Sequence, residues 1–270
     1  METTAIPPKT IAAGKSTSIM EHLVEMRDRM MRSAIAVVIT TIVALIFSQA
    51  IFDILTFRSQ FTKPIFDFIV TKLHLTAPPA IHLIAIEMTE NFTVYFQVCL
   101  WAGIIVAIPY ILYEAIMFVT PALTDKEKKY FFIILPWVLL MFLFGVVFAY
   151  FILLPPALTF LLGFGADIAV TQVRIANYVS VVARLLLAIG LIFELPVLLT
   201  FLQRIGIVTP KILAKQRKWA VVGAFVIGGL ITPTPDPINQ SLISIPLYLL
   251  YEMSIWLGKL VYKKKTPTAA

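Results

Sequence analysis

The stretch FELPVLLTF, residues 193–201, places the acid Glu194 and the proline Pro196 inside a run that is otherwise apolar. A charged side chain inside a membrane helix costs roughly 2.5–3.5 kcal/mol on insertion scales, so an acid at that depth indicates a functional role. Pro196 has no backbone N–H, which removes one helical hydrogen bond and bends the helix. A membrane tolerates such freed backbone groups only where protein or a water-filled cavity satisfies them. The stretch therefore predicts a bent membrane helix whose acid faces a polar concavity.

Two interpretations of Glu194 stay open from the sequence alone. The functional one makes it a polar contact inside the membrane, and the structural one makes it a neutral acid with a buried hydrogen bond. Arg184 does not pair with it within the helix, because ten residues separate the two by about 15 Å along the axis and roughly 80° around it.

The composition indicates an integral membrane protein. Of its 270 residues, 60% are hydrophobic and 14% are charged, with a mean hydropathy of +0.92, whereas a soluble domain carries about 25% charged residues. The one cysteine, Cys99, excludes an internal disulfide, and three histidines at no ligand spacing predict no metal site. No cofactor is expected.

Six apolar runs are candidates for membrane spans, since about 30 Å of hydrocarbon needs about 20 helical residues. The fifth is short, and thinning of the bilayer or burial among neighbouring helices would accommodate it. The predicted architecture is all-α, with a solvated, disordered tail at 1–18, a transmembrane domain at 19–260 and a second tail at 261–270. The predicted spans are 31–52, 93–118, 130–154, 178–203, 219–231 and 241–258.

The basic residues predict the orientation. Seventeen Lys and Arg fall in the N-terminal segment, the 119–129 loop, the 204–218 loop and the C-terminal tail, against four in the segments on the other side. Cytoplasmic segments carry the excess of basic residues, so both termini are expected in the cytoplasm. The formal net charge of +7 is then a signal of topology, and no nucleic-acid partner is expected.

Two stretches on that cytoplasmic side carry candidate acids. In MEHLVEMRDRMMRS, residues 20–33, Glu25 could pair with Arg29 four residues on, or could offer its carboxylate to a cationic partner. In FVTPALTDKEKKYF, residues 118–131, Glu127 could complete a helix-capping box, or could again act as an exposed carboxylate. Spacing alone decides neither case.

In these stretches the chain resembles the TatC family, the polytopic core subunits of the twin-arginine, Sec-independent protein translocase. The resemblance runs from about residue 19 to 260 and implies six helices in a curved, glove-like arrangement in the bacterial inner membrane, with both termini cytoplasmic. Six motifs in family order carry it: HLVEMRDRM, FVTPALTDKEKK, FGVVFAYFILLP, IGLIFELPV, VVGAFVIGGLITPTPDPINQ and SIPLYLLYEMSI.

The resemblance implies a receptor for twin-arginine signal peptides, which direct folded proteins across the membrane. The family's signal-peptide positions fall on Glu25, Arg27, Phe118 and Glu127. The chemistry suits the task, because a guanidinium fork pairs bidentately with a carboxylate and lysine cannot match that geometry.

The resemblance also implies positions for assembly. The family's intramembrane acid falls on Glu194, two residues before Pro196, and is implied to contact a partner's polar side chain. The family's outer motif falls on Asp236 and Gln240. That motif reads TPTPDPINQ here, one residue longer than the common form. Single-span TatA- and TatB-type subunits are the implied partners, docking near the fifth and sixth helices. A homo-oligomeric complex without enzymatic activity, driven by the proton gradient, is expected.

Two other functional classes stay open as alternatives. A proton- or ion-coupled small-molecule transporter would use Glu194 and Arg184 as relay groups, but the chain shows no internal repeat of the kind that many transporters have. An intramembrane enzyme is disfavoured, since the sequence contains no HExxH and no G-x-S-x-G motif.

Overall fold

The computed structural model describes residues 19–57, 59–60, 62–73, 83–120, 125–164, 172–232 and 236–261. The predicted tail at 1–18 and nearly all of the predicted tail at 261–270 lie outside these ranges.

Helices dominate the described residues, and two short strands pair in parallel. The helices are α1 Ile19–Ile46, α2 Ser48–Leu55, α3 Lys63–Leu73, α4 Glu90–Val119, α5 Asp125–Phe148, α6 Leu154–Gly163, α7 Ile175–Ile192, α8 Leu195–Ile205, α9 Pro210–Lys215, α10 Arg217–Ile231 and α11 Pro237–Val261. A π-helical turn at Ala149–Leu153 joins α5 to α6, and the strands are β1 Leu83–Ile84 and β2 Val173–Arg174.

The predicted six-helix membrane architecture is confirmed. Five helical segments are long and apolar enough to cross a membrane: α1, α4, α5 with α6, α7 with α8, and α11. The sixth is α10, whose 15 residues extend about 22 Å. It packs along α11 on one side, where Ala224 and Gly228 are buried. Most of its other side chains are exposed, so burial among neighbouring helices does not account for its short length.

The first span differs from its predicted position. The helix begins at Ile19 and ends at Ile46, whereas apolarity alone placed the span at 31–52. The charged lead-in stays helical because Glu25 pairs with Arg29 one turn later. The chain then restarts as the separate helix α2 at Ser48.

The core of the fold is α7, which packs between α4 and α5. Its buried face carries Val179, Val182 and Ile189, each almost without solvent exposure. Pro155 and Pro156 lie just after the π-helical turn. Because proline has no backbone N–H, these two residues interrupt the regular hydrogen bonding of the helix.

Helix α1 packs mainly on α4, and the contact is close. Thr40 donates its hydroxyl to the backbone carbonyl of Gly103 over 2.8 Å. A Cβ on Gly103 would lie 2.4 Å from the Thr41 Oγ1 and 2.7 Å from its Cα. Only glycine at this position allows the two backbones to approach this closely, as at many membrane helix interfaces.

A buried carboxylate joins the start of α4 to the start of α7. One oxygen of Glu90 accepts hydrogen bonds from the Arg174 Nε at 2.8 Å and from the backbone N–H of Ala176 at 3.3 Å. Its other oxygen accepts from the backbone N–H groups of Ile86 and Glu87. Glu87 also bonds Arg174, but its own side chain is 65% exposed. Glu90 therefore fixes the connection through β1 and β2.

We predict that Gly103→Ala destabilises the protein, since the methyl group would collide with the backbone of Thr41 and overpacking of this kind costs about 1–3 kcal/mol. Thermal unfolding in detergent measures the effect. Gly223→Ala on α10 is the matched control, because nothing lies within 4 Å of its Cβ position. Equal stability of the two variants would contradict the close α1–α4 packing.

We predict that Glu90→Ala lowers the unfolding temperature much more than Glu87→Ala does. Both acids bond Arg174, but only Glu90 is buried, so its loss leaves the Nε of Arg174 and three backbone N–H groups without their acceptor. Similar unfolding temperatures for the two variants would show that the exposed acid supports the connection as well as the buried one.

Candidate functional site

An arginine-centred cluster joins α1 to α4 at the end where α1 begins. Arg29 directs its Nη2 to Glu25 Oε1 at 2.6 Å and its Nη1 to Glu114 Oε2 at 2.9 Å. The predicted pairing of Glu25 with Arg29 along the helix is therefore present. Arg29 also bonds Glu114 on the second helix, α4, and the residue spacing within α1 did not predict this contact.

Glu114 is the residue that the sequence interpretation missed. Its side chain is only 5% exposed, and it also accepts a hydrogen bond from Tyr110 Oη at 2.9 Å. A carboxylate this buried is retained only when paired and hydrogen-bonded. The sequence signal was the Tyr110–Glu114 spacing of one helical turn, close to the cytoplasmic end predicted for this span.

Phe118, a predicted signal-peptide residue, lies beside this cluster. Its ring stacks on the imidazole of His22 with centroids 4.3 Å apart and planes inclined by 20°. Below it is a recess of about 350 Å³, mostly apolar, with Arg29 and Glu114 at its polar edge. Its other lining residues are Met26, Met30, Ser33, Ile111 and Ala115. The structure thus brings Glu25 and Phe118 to one end of the α1–α4 pair.

Arg27 does not join the cluster. Its guanidinium bonds the neighbouring Asp28 at 3.1 Å and is 73% exposed. Glu127 lies in the first turn of α5, but its side chain is outside the described residues, so its role in binding stays a prediction.

Glu25 keeps part of its carboxylate available. Both bonds from Arg29 fall on Oε1, and among the described residues Oε2 accepts no hydrogen bond. The side chain is 31% exposed. It borders a groove of about 520 Å³ along α1 that Glu21, Asp28 and Arg32 also line. A cationic ligand therefore has one open carboxylate oxygen with further acids nearby.

Glu194 lies at the break between α7 and α8, where the proline predicted a bend. Its side chain is enclosed, with 2% exposure, and does not line an open polar concavity as the sequence predicted. Neither carboxylate oxygen has a hydrogen-bond partner among the described residues. Nearby, α5 packs tightly on α7, where Gly190 leaves room for the Phe142 ring.

The predicted outer motif forms the start of α11 and its contact with α10. Asp236 accepts from the backbone N–H of Asn239 at 2.7 Å, as a helix-capping acid does. Gln240 donates to the carbonyl of Phe225 at 2.7 Å, next to Gly228, which has no room for a side chain. Gln240 therefore joins α11 to α10, and Asp236 caps the start of α11.

Comparisons with known proteins agree with this architecture. The family described as "Sec-independent protein translocase protein (TatC)" matches residues 21–246. The TatC protein of Aquifex aeolicus is 41% identical over 249 residues, covering 92% of this chain and 97% of the relative. TatCy of Bacillus subtilis is 35% identical over 254 residues, covering 94% and 93%.

Solved structures give the same result in three dimensions. A crystal structure described as the twin arginine translocase receptor TatC superposes with a TM-score of 0.71 at 41% identity, covering 89% of this chain and 99% of that one. A second, in the detergent DDM, superposes with a TM-score of 0.72 at 40% identity, covering 88% and 99%. With the family match over most of the sequence and this agreement in fold, the chain belongs to the TatC family of multi-pass membrane proteins.

Proposed function

We propose that the protein is the core receptor subunit of a twin-arginine translocase and that it binds the paired arginines of signal peptides on folded cargo. The observation that carries the proposal is the Glu25–Arg29–Glu114 cluster. It holds a guanidinium between two carboxylates, beside a groove that leaves one of them partly open.

The cluster suggests how a peptide arginine would be held. Its guanidinium would take the open Oε2 of Glu25, while Arg29 stays anchored by the buried Glu114. A second arginine would take the carboxylate of Glu127. Lysine presents a point charge without the planar fork, so it would bind the same oxygens with fewer and less directed hydrogen bonds.

An apolar side chain of the peptide would fit the recess under Phe118. The recess opens beside Arg29 and Glu114, and its apolar lining consists of Met26, Met30, Ile111, Ala115 and Phe118. Methionine adapts its shape to different apolar partners, which suits a receptor that must accept many signal sequences.

Orientation and partners complete the proposal. The excess of basic residues supports a cytoplasmic position for both termini, which puts the cluster on the side where cargo is made. Single-span TatA- and TatB-type subunits and further copies of this chain would complete the complex in the bacterial inner membrane. The proton gradient would drive transport, since the sequence has no nucleotide-binding P-loop.

We predict that Glu25→Gln and Glu127→Gln each weaken binding of a twin-arginine signal peptide roughly tenfold or more, because a charge-assisted pair is lost. Binding of a fluorescent peptide to the purified protein in detergent measures this. A twin-lysine peptide should bind wild type more weakly and lose little in the variants. Asp67→Asn, an exposed acid on α3, is the control for a change in net charge.

The same titrations separate recognition from internal structure. If Glu25 serves only to hold Arg29, Glu25→Gln lowers the unfolding temperature but leaves the preference for arginine over lysine intact. If Glu127 is only a helix cap, its variant does the same. Either result removes that acid from the proposed binding site.

We predict that Glu194→Gln keeps the unfolding temperature and signal-peptide binding but reduces assembly with the single-span subunits. Among the described residues the acid has no hydrogen bond to lose, and it lies outside the α1–α4 cluster. Co-purification of the partner subunits measures assembly. Thr200→Val on α8 is the control, since its hydroxyl is also buried without a partner. Loss of peptide binding in Glu194→Gln would contradict this division of roles.

A further inference from the structure

Arg184 is a cation that neither the fold nor the proposed function uses. It lies in the middle of α7, its side chain is exposed, and among the described residues it makes no hydrogen bond and no ion pair. An arginine on the outside of a membrane helix is costly unless an anion meets it there. The question is which anion reaches this position.

The acids of this chain's own spans are committed elsewhere. Glu90 bonds Arg174, Glu114 bonds Arg29 and Glu252 bonds Arg217. Glu194 is enclosed between helices and presents nothing to the surface. A second copy of the chain would bring the same set of acids, so among the described residues it offers no free carboxylate at this depth.

A lipid phosphate fits the position poorly. Arg174 marks the polar outer end of α7, and Arg184 lies ten residues further in, about 15 Å along the helix. That distance exceeds the length of an arginine side chain, so a headgroup could meet the guanidinium only if the bilayer were deformed.

The surface around Arg184 suits a helix. The exposed residues of α7 are Asn177, Arg184 and Leu191, seven residues apart, so they form one stripe along the helix. Ser180 and Ala188, one turn above and below Arg184, are small and only partly buried. Small residues let a second backbone come close, and a polar group on that helix can then bond across the interface.

We propose that this stripe of α7 docks a membrane-spanning helix of a partner protein, and that a carboxylate on that helix pairs with Arg184. The charge complementarity sets the depth and the rotation of the partner helix, and Asn177 adds a polar contact toward its outer end. The proposal depends on the membrane fold alone and holds whether or not the α1–α4 cluster binds signal peptides.

The test uses the full-length protein in liposomes with synthetic leucine-based spanning peptides. One peptide carries Glu at the depth of Arg184, a second carries Gln there, and a third carries the Glu two turns deeper. Energy transfer between labelled peptide and labelled protein measures association. We expect the first peptide to bind wild type roughly three- to tenfold more tightly than the other two, the range for polar contacts between membrane helices.

Variants assign the effect to the guanidinium. Arg184→Leu should abolish the preference for the Glu peptide, and Arg184→Lys should keep part of it. Lys211→Leu on α9 removes an exposed charge elsewhere and should change nothing. Equal binding of the Glu and Gln peptides to wild type overturns the proposal without any variant. So does an unchanged preference in Arg184→Leu.

A separate measurement identifies a lipid occupant. Mass spectrometry of the intact protein, purified from membranes that contain anionic lipid, reports lipids that stay bound. If wild type retains an anionic lipid that Arg184→Leu loses, and the peptides bind alike, the anion is a headgroup and the docking proposal is wrong.

Discussion

An ionised carboxylate buried among membrane helices needs a cation to offset its desolvation, and the pairs that meet this need help to set how the helices of this protein meet. Arg29 and Glu114 join α1 to α4 at one end, Glu90 and Arg174 join α4 to α7 at the other, and Arg217 and Glu252 join α10 to α11. Lipid offers no hydrophobic driving force between helices, so close packing and such polar contacts supply the specificity. The α1–α4 interface shows close packing and a polar contact together. Gly103 lies against Thr41, and the neighbouring Thr40 bonds the Gly103 carbonyl.

The proposed recognition of signal peptides uses the same chemistry that stabilises the fold. Arg29 already occupies a site between two carboxylates, so the protein contains an internal example of the guanidinium contact that a peptide would make. The difference between the two acids lies in burial: Glu114 is closed off, whereas Glu25 is open at one oxygen. A peptide arginine can thus bind without leaving a buried charge unpaired, which would be the costly outcome.

Contacts within one helix could be predicted from the sequence, and contacts between helices could not. The pairing of Glu25 with Arg29 and the bend before Pro196 follow from spacing and from the chemistry of proline. The partner of Arg29 on α4 and the joining of α4 to α7 by Glu90 bring together residues about 85 positions apart, which no local pattern encodes. The concavity predicted at Glu194 was wrong for the same reason. Whether an acid is open or enclosed depends on the helix packed against it, and here Phe142 of α5 fills the space beside Gly190.

The two charged residues of the fourth span, Arg184 and Glu194, stay unmatched for different reasons. Ten residues apart on the bent α7–α8 segment, they do not meet. Among the described residues, Arg184 is exposed and has no anionic partner, and Glu194 is enclosed and has no hydrogen bond. Every other carboxylate with a place in the described spans has an arginine partner or lies where α1 begins. Packing within the described part of the chain therefore does not explain why the α7–α8 segment carries these two groups. On the proposals above, the polar groups of the fourth span would be satisfied from outside the chain: Arg184 is available at its surface, whereas Glu194 is enclosed.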